Sequence, residues 1–248
     1  MAGHSKWANI KHRKGAQDAK RGKIFTKLIK EITVASKEGG PELENNARLR
    51  LAVQNAKGKN MPKDTIERAI KKGQGSDATD YVEVTYEGYA PNGVAVIVEC
   101  QTDNLNRTVS NVRAAFAKNN GSLGKNGSVD FMFERKGSFS FPFPEGSDED
   151  EFMLELIDGG AEDVEIEDGR VNVTTALEDF GTFQSKLEEL NIEAENAELD
   201  RIPATTVSVD DDSLVKIMKL IDRLEDDDDI QKVFHNMDIS DEQIALLE

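Results

Sequence analysis

The spacing of apolar residues changes along the 248-residue chain and separates a helical part from a mainly stranded part. From Ala16 to Ala35 apolar positions recur every three or four residues, which predicts an amphipathic helix. A second helix is predicted after Asn45-Asn46, and a third runs from Pro62 to Gly73. Three helices joined by short turns predict a small helical domain within residues 1–80, behind an irregular N-terminal arm.

After residue 80 the period changes to two. Residues 81–86 alternate between apolar and polar, and the apolar run Val94–Val98 is typical of a buried strand. A helix is predicted over Leu105–Asn119 and a further strand over Ser128–Glu134. After a long interval the chain returns to this pattern, with a helix and then a strand at Ile230–Phe234.

Between these segments the chain holds a complete second unit. Its predicted elements are a strand at 138–143, a helix at 148–158, strands at 164–166 and 171–173, a helix at 177–190 and a strand ending near 203. The order βαββαβ is that of a ferredoxin-like domain.

Together the patterns predict a multidomain α+β protein. It has an N-terminal three-helix domain (residues 1–80) and two ferredoxin-like α/β domains, the third inserted into the second. The second domain would comprise residues 81–134 and 204–248, and the inserted domain residues 135–203.

The distribution of charge matters more than the net value of −17. Residues 1–75 hold 18 Lys and Arg against seven Asp and Glu, a net charge of +11, whereas the other residues hold 13 against 41, a net charge of −28. A basic segment attracts phosphate polymers by counterion release, and an acidic remainder repels the same polymer. The sequence therefore predicts a nucleic-acid partner bound at the N-terminal end.

Through residue 30, nine cations are opposed by Asp18 alone. Two histidines and a tryptophan on the arm are candidates for stacking on bases or sugars. The candidate nucleic-acid-binding residues are His4, Lys6, Trp7, Lys11, His12, Arg13, Lys14, Lys20, Arg21, Lys23, Lys27 and Lys30. The alternative is an ordinary solvated helix face behind an irregular tail, with Trp7 docked on the helical domain.

Further cations on the second and third helices, from Lys57 to Lys72, either extend this surface or form ordinary solvated faces. Arg107 is a secondary candidate, although Asp103 or Asn104 before it is also a natural helix N-cap. Lys125 and Arg135 are further secondary candidates for phosphate contacts, although the glycine-rich segment 121–125 is interpreted first as an ordinary turn.

The sequence holds no recognisable catalytic constellation, so we expect neither an enzyme nor a cofactor. Cys100 is the single cysteine, which excludes an internal disulfide and a cysteine-based metal site and suits a cytoplasmic protein. The run Asp226–Asp229 has the chemistry to attract Mg²⁺, but a solvated connection, or a surface that repels nucleic acid, is the preferred interpretation. We expect no metal and no membrane partner, since no apolar run approaches the length of a membrane span.

Long stretches of the chain resemble the YebC family, which includes bacterial regulators and a mitochondrial translational activator. They are MAGHSKWANIKHRK and DAKRGKIFTKLIKEI at the N-terminus, YEGYAPNGVAVIVEC at 86–100, TDNLNRT at 102–108, SLGKNGSVDFMFERKG at 122–137, GGAEDV at 159–164 and LIDRLEDDDDIQKV at 220–233. The resemblance implies the same three-domain fold and a cytoplasmic, DNA-binding transcriptional regulator without catalytic residues. For some members it implies a translation factor that binds the ribosome and relieves stalling at proline-rich stretches.

The leading hypothesis is therefore a nucleic-acid-binding regulator of gene expression. Its target is DNA in the conventional interpretation, with ribosomal RNA as the rival. A protein-interaction module is a different possibility, and it predicts that deletion of residues 1–22 leaves activity intact. A metal-dependent hydrolase using Asp226–Asp229 is a third, and it predicts a metal requirement.

Overall fold

A computed structural model describes residues 18–75, 79–240 and 242–244, with side chains from Arg21 onward. The chain forms two compact units. The first contains the opening turns of the N-terminal helix as far as Lys27, residues 79–134 and the part from Ile202. The second contains the rest of that helix, the two helices that follow it, and Arg135–Arg201.

The helices agree closely with the periodicity of the sequence. They are α1 (Asp18–Gly39), α2 (Ala47–Gly58), α3 (Lys63–Gly73), α4 (Leu105–Lys118), α5 (Glu149–Asp158), α6 (Phe180–Glu189) and α7 (Asp211–Glu225). The strands are β1 (Val82–Tyr89), β2 (Ala95–Thr102), β3 (Ser122–Leu123), β4 (Phe133–Pro142), β5 (Ala161–Glu167), β6 (Arg170–Ala176), β7 (Asn196–Pro203), β8 (Val207–Ser208), β9 (Ile230–His235) and β10 (Met237–Asp238). The α+β fold class, with helices first and sheets after them, is confirmed.

The first unit is built on an antiparallel sheet in the order β3-β1-β2-β9. The helices α4 and α7 pack on one face and share a core with Val96 and Val98 of β2. Ala95 and Ile97 of the same strand are buried in a second cluster, with Phe133 and Phe234. Because β2 is covered on both faces, the continuous apolar run is explained, and the predicted buried strand is confirmed.

In the second unit α1 and α3 approach closely through small polar residues. The Ser36 hydroxyl donates to the Ile70 carbonyl (2.8 Å), and a Cβ on Gly73 would lie 2.5 Å from the Thr33 carbonyl oxygen. Asn46 joins the first two helices, because its side chain accepts from Leu49 N at the start of α2 (2.9 Å) and donates to carbonyl oxygens at the end of α1. These polar contacts join helices that also bury apolar side chains, among them Ile32 of α1, Leu49 of α2 and Ile66 of α3.

The remaining part of the second unit is a sheet in the order β5-β6-β4-β7, in which β6 pairs antiparallel with both β5 and β4, and the predicted βαββαβ order is found along the chain. Its edge strand β7 is covered by α2. The Asn55 side chain accepts from Ala197 N (2.9 Å) and donates to Ala197 O (2.8 Å), which satisfies one residue of the open edge. The domain boundaries predicted above stay a prediction.

The strand predicted over Ser128–Glu134 is wrong. Residues Asp130–Met132 form a 3₁₀ turn, and a single strand, β4, begins at Phe133 and replaces the separate strand expected at 138–143. The backbone N–H groups of Val129 and Asp130 donate to the Glu87 carboxylate, so they are not available to a sheet ladder.

The reactivity of Cys100 tests the packing of the core that α4 and α7 form with β2 in the first unit. The side chain is buried in the cluster formed by α4, α7 and β2, and burial raises the pKa of its thiol to about 12, with a smaller effect from Asp227 and Asp229. We expect iodoacetamide at pH 8 to leave Cys100 unmodified in the folded protein, and to modify it after unfolding in urea, as measured by mass spectrometry.

The same shift predicts the direction of a pH effect. Above the ordinary thiol pKa of about 8.5 the unfolded chain releases a proton that the folded chain retains until about pH 12, so this group makes folding less favourable as the pH rises through that window. Modification of the folded protein at the rate of the unfolded one would contradict the burial of Cys100.

Candidate nucleic-acid interface

The predicted arm residues lie outside the described residues. They are His4, Lys6, Trp7, Lys11, His12, Arg13 and Lys14. Lys20 lies in α1, where the structure describes the backbone alone. The role of all eight in binding stays a prediction from their charge and chemistry.

Two lysines of the predicted surface contact the C-terminal end of α7. The Lys27 ammonium donates to the Glu225 carbonyl oxygen (3.0 Å), and the Lys23 ammonium pairs with the Asp226 carboxylate (2.5 Å). A helix C-terminus carries partial negative charge and unpaired carbonyl groups, so cations stabilise it. Lys23 and Lys27 therefore hold the first turns of α1 against α7, which is a role that their sequence pattern did not indicate.

The other two described helix candidates differ in exposure. Arg21 is exposed, and its guanidinium lies 5.3 Å from the centre of the Phe25 ring. Lys30 is only 9% exposed, so its ammonium group is poorly placed to receive a phosphate. Periodicity placed Lys30 on the same face as Lys23 and Lys27, but it could not show which part of that face is covered.

The cations of α2 and α3 also differ in their surroundings: one is paired with carboxylates and others are exposed. Arg48 is bound by two carboxylates, those of Glu31 (2.8 Å) and Glu38 (2.7 Å), which neutralise its charge. Lys71 and Lys72, in the last turn of α3, have exposed side chains. The second unit thus keeps exposed positive charge at the end of α3.

The acidic run at the end of α7 is not merely a solvated connection. Asp229 is 5% exposed, and its carboxylate accepts from Thr102 Oγ1 (3.1 Å), Thr108 Oγ1 (2.9 Å) and Arg107 Nη2 (2.6 Å). The preferred interpretation was therefore wrong for Asp229, whose carboxylate joins β2 and α4 to the start of β9. Local sequence could not indicate this, because the partners lie more than 100 residues away.

Arg107, a secondary candidate, is part of that network. Its guanidinium binds Asp229 and Asp103, and hydrogen bonds to these two carboxylates, that to Asp229 first, raise the pKa of Arg107 above its ordinary value. Of the two residues expected as the N-cap of α4, Asp103 and Asn104, the structure shows Asn104, whose side chain accepts from Arg107 N (3.1 Å). The positive charge of Arg107 is thus paired with carboxylates of the protein itself.

Lys125 and Arg135 are both exposed. Lys125 belongs to a turn, residues 124–130, that is anchored by Glu87, a residue the sequence did not single out. The Glu87 carboxylate is buried and accepts from the backbone N–H groups of Gly127 (2.6 Å), Val129 (2.8 Å) and Asp130 (3.0 Å). Glu87 lies in β1, where polar and apolar residues alternate, so the sequence pattern gave no indication that its carboxylate binds the turn.

Within the described ranges, no three His, Cys, Asp or Glu side chains form a group that could hold a metal ion. The carboxylates of the acidic run instead have different partners: Asp226 binds Lys23, Asp227 accepts from Asn111, and Asp229 binds Arg107. Among the helices that the structure describes, none is both long and apolar enough to cross a bilayer.

The acidic run allows a matched test of burial. Asp229→Asn should lower the free energy of unfolding by about 2–4 kcal/mol, because it removes a buried charge that accepts from three donors. Asp226→Asn makes the same chemical change at a carboxylate that is 61% exposed, and should cost at most about 1 kcal/mol. Urea unfolding of both variants measures the difference, and equal losses would contradict the assigned role of Asp229.

Family models match nearly the whole chain. Residues 5–76 match the TACO1/YebC protein N-terminal domain, and residues 81–237 match the TACO1/YebC second and third domain. A probable transcriptional regulatory protein from Amoebophilus asiaticus is 58% identical, over 96% of this chain and 98% of its own length. One of the same description from Syntrophotalea carbinolica is 60% identical, over 99% of this chain and 98% of its own.

A solved structure agrees with these matches. The crystal structure of a conserved hypothetical protein from Aquifex aeolicus superposes with a TM-score of 0.81 at 44% identity, covering 90% of this chain and 93% of that one. The agreement of fold, family models and full-length relatives leads to one conclusion: the chain belongs to the TACO1/YebC family.

Proposed function

We propose that this protein regulates gene expression by binding nucleic acid through its basic N-terminal segment, with duplex DNA as the first target. The observation that carries the proposal is the separation of charge, +11 in residues 1–75 against −28 in the rest of the chain. The relatives' description as probable transcriptional regulatory proteins supports a regulatory role. The protein acts in this account by binding rather than by catalysis.

The contacts of α1 narrow the proposed surface. Lys23 and Lys27 are engaged by the end of α7, and Lys30 is buried, so the first phosphate contacts come from the arm and from Arg21. The described helix then serves as the base on which the arm is carried. Phosphate contacts of this kind give affinity and orientation but little sequence information.

A structured RNA, such as ribosomal RNA, is the second candidate target. The sequence holds no zinc finger, no basic zipper and no RRM signature, so nothing in it indicates a module that reads bases in a DNA groove. The resemblance to a family with translation factors supports the same alternative. Cross-linking in cells, followed by sequencing of bound DNA and RNA, separates the two: promoter DNA supports transcription, and ribosomal RNA supports translation.

The dependence of binding on salt tests the electrostatic contact. If about six phosphates are neutralised on duplex DNA, the logarithm of the binding constant should fall with the logarithm of salt concentration at a slope of roughly −5. Replacing the four arm cations Lys6, Lys11, Arg13 and Lys14 by Gln should make that slope shallower by roughly 3–4 and weaken binding strongly. Fluorescence anisotropy over a salt series measures both quantities.

The control for the arm variant removes the same number of positive charges elsewhere in the chain. Arg113, Lys118, Lys216 and Lys219 are exposed cations of the acidic remainder, and replacing these four by Gln should leave the slope unchanged. Binding that barely changes between low and moderate salt would contradict the proposal. So would full regulatory activity after deletion of residues 1–22, the result that a protein-interaction module predicts.

A further inference from the structure

Phe131 is an exposed aromatic ring on a firmly held turn. Its side chain is 73% exposed, the highest value among the large hydrophobic residues that the structure describes. Val129 and Phe133, two residues away on either side, are buried in the cluster beneath β2. Because those two side chains occupy the core, the ring of Phe131 is directed to solvent and does not share their burial.

The backbone on the N-terminal side of Phe131 is fixed from within the protein. One buried carboxylate, that of Glu87, accepts from Gly127 N, Val129 N and Asp130 N at 2.6–3.0 Å. The hydroxyl of Tyr89 donates to the Ser128 carbonyl (2.9 Å). Bonds from backbone N–H groups to a carboxylate are among the stronger hydrogen bonds in proteins, so this side of the turn has little freedom.

The C-terminal side is fixed as well. Met132 N donates to the Val129 carbonyl (2.9 Å), which closes the 3₁₀ turn, and the Met132 carbonyl accepts from Ala204 N (2.9 Å). The ring of Phe131 is therefore presented by a backbone that is bonded on both sides. A side chain held in this way loses little conformational entropy when it binds a ligand.

A cation belongs to the same turn. Lys125 is exposed, and its carbonyl accepts from Ser128 N (3.1 Å), so it lies in the segment that Glu87 anchors. Met132 is only half-buried and Val129 and Phe133 are buried, so Phe131 is the one apolar residue of segment 124–133 that is classed as exposed. A protein partner is usually bound through a cluster of apolar side chains with a polar rim, whereas a nucleobase needs one aromatic face and a cation for the neighbouring phosphate.

We propose that the turn Lys125–Phe131 binds an unpaired nucleobase, with the ring of Phe131 stacked on the base and Lys125 contacting a flanking phosphate. The ligand class is a single-stranded segment of nucleic acid, in a loop, a bulge or an opened strand. This inference rests on the proposed nucleic-acid function. A base inside a regular duplex is already stacked on its neighbours, so fully paired DNA or RNA does not offer the face that this site binds.

Three variants of the full-length protein and three probes test the proposal. The probes are a 12-nucleotide single-stranded RNA, the DNA of the same sequence and a fully paired duplex of the same length. Phe131→Ala should weaken binding of a single-stranded probe by roughly 5- to 150-fold and leave the duplex unchanged. Phe131→Trp keeps an aromatic face and should stay within about twofold of the unmodified protein.

The salt dependence separates stacking from charge. Phe131→Ala should leave the salt slope unchanged, because stacking releases no counterion. Lys125→Gln should make the slope for a single strand shallower by about 0.7. Since Phe131 and Lys125 are exposed, neither substitution should disturb the fold, and urea unfolding checks this.

The outcomes separate the two proposals. If the arm variant loses binding while Phe131→Ala binds every probe as the unmodified protein does, the base site is overturned and the arm contact stands. An equal loss on duplex and single strands also overturns stacking. If the unmodified protein binds none of the probes at low salt, both proposals fall. A selective loss on RNA or on DNA supports the base site and identifies the polymer.

Discussion

The pairing of β2 with β9 is the constraint on which the first unit depends. These strands are more than 120 residues apart in the chain, and their pairing completes a sheet that residues 82–123 begin. Polar groups hold both ends of β9. Asp229, before it, is bound by Thr102, Thr108 and Arg107, and Asn236, after it, accepts from Ala95 N (2.8 Å). Buried polar groups satisfied in this way fix the register, since a shifted strand would leave them without partners.

The same pairing places the candidate interface. It fixes the preceding helix α7, whose C-terminal end receives Lys27 at the Glu225 carbonyl and Lys23 at Asp226. The first turns of α1 are therefore attached to a helix whose core includes Ile230 and Val233 of the distant β9. On the other face of β2, Val129 and Phe133 share a cluster with Phe234 of β9, so the turn that carries Phe131 depends on the same strand pair.

Much of the fold was predictable because it is local. Helix periods, the Asn104 cap and the doubly buried β2 follow from patterns within a few residues of one another. The errors arise from distant contacts. The sequence indicated a strand over Ser128–Glu134 because it could not reveal that the Glu87 carboxylate takes the backbone N–H groups. Likewise, charge identified the lysines of α1 as a set, but the contacts with α7 and the burial of Lys30 require the folded chain.

The central claim is that nucleic acid binds at the basic N-terminal end, with the turn Lys125–Phe131 as a second contact, and is kept away from the acidic faces of Arg135–Arg201 and α7. Ultraviolet cross-linking of the full-length protein to bound nucleic acid, with mass spectrometry of the attached peptides, tests this most directly. The account predicts cross-links within residues 4–21 and within the turn Lys125–Phe131. Cross-links confined to the acidic sheet of Arg135–Arg201, or to α7, would contradict it.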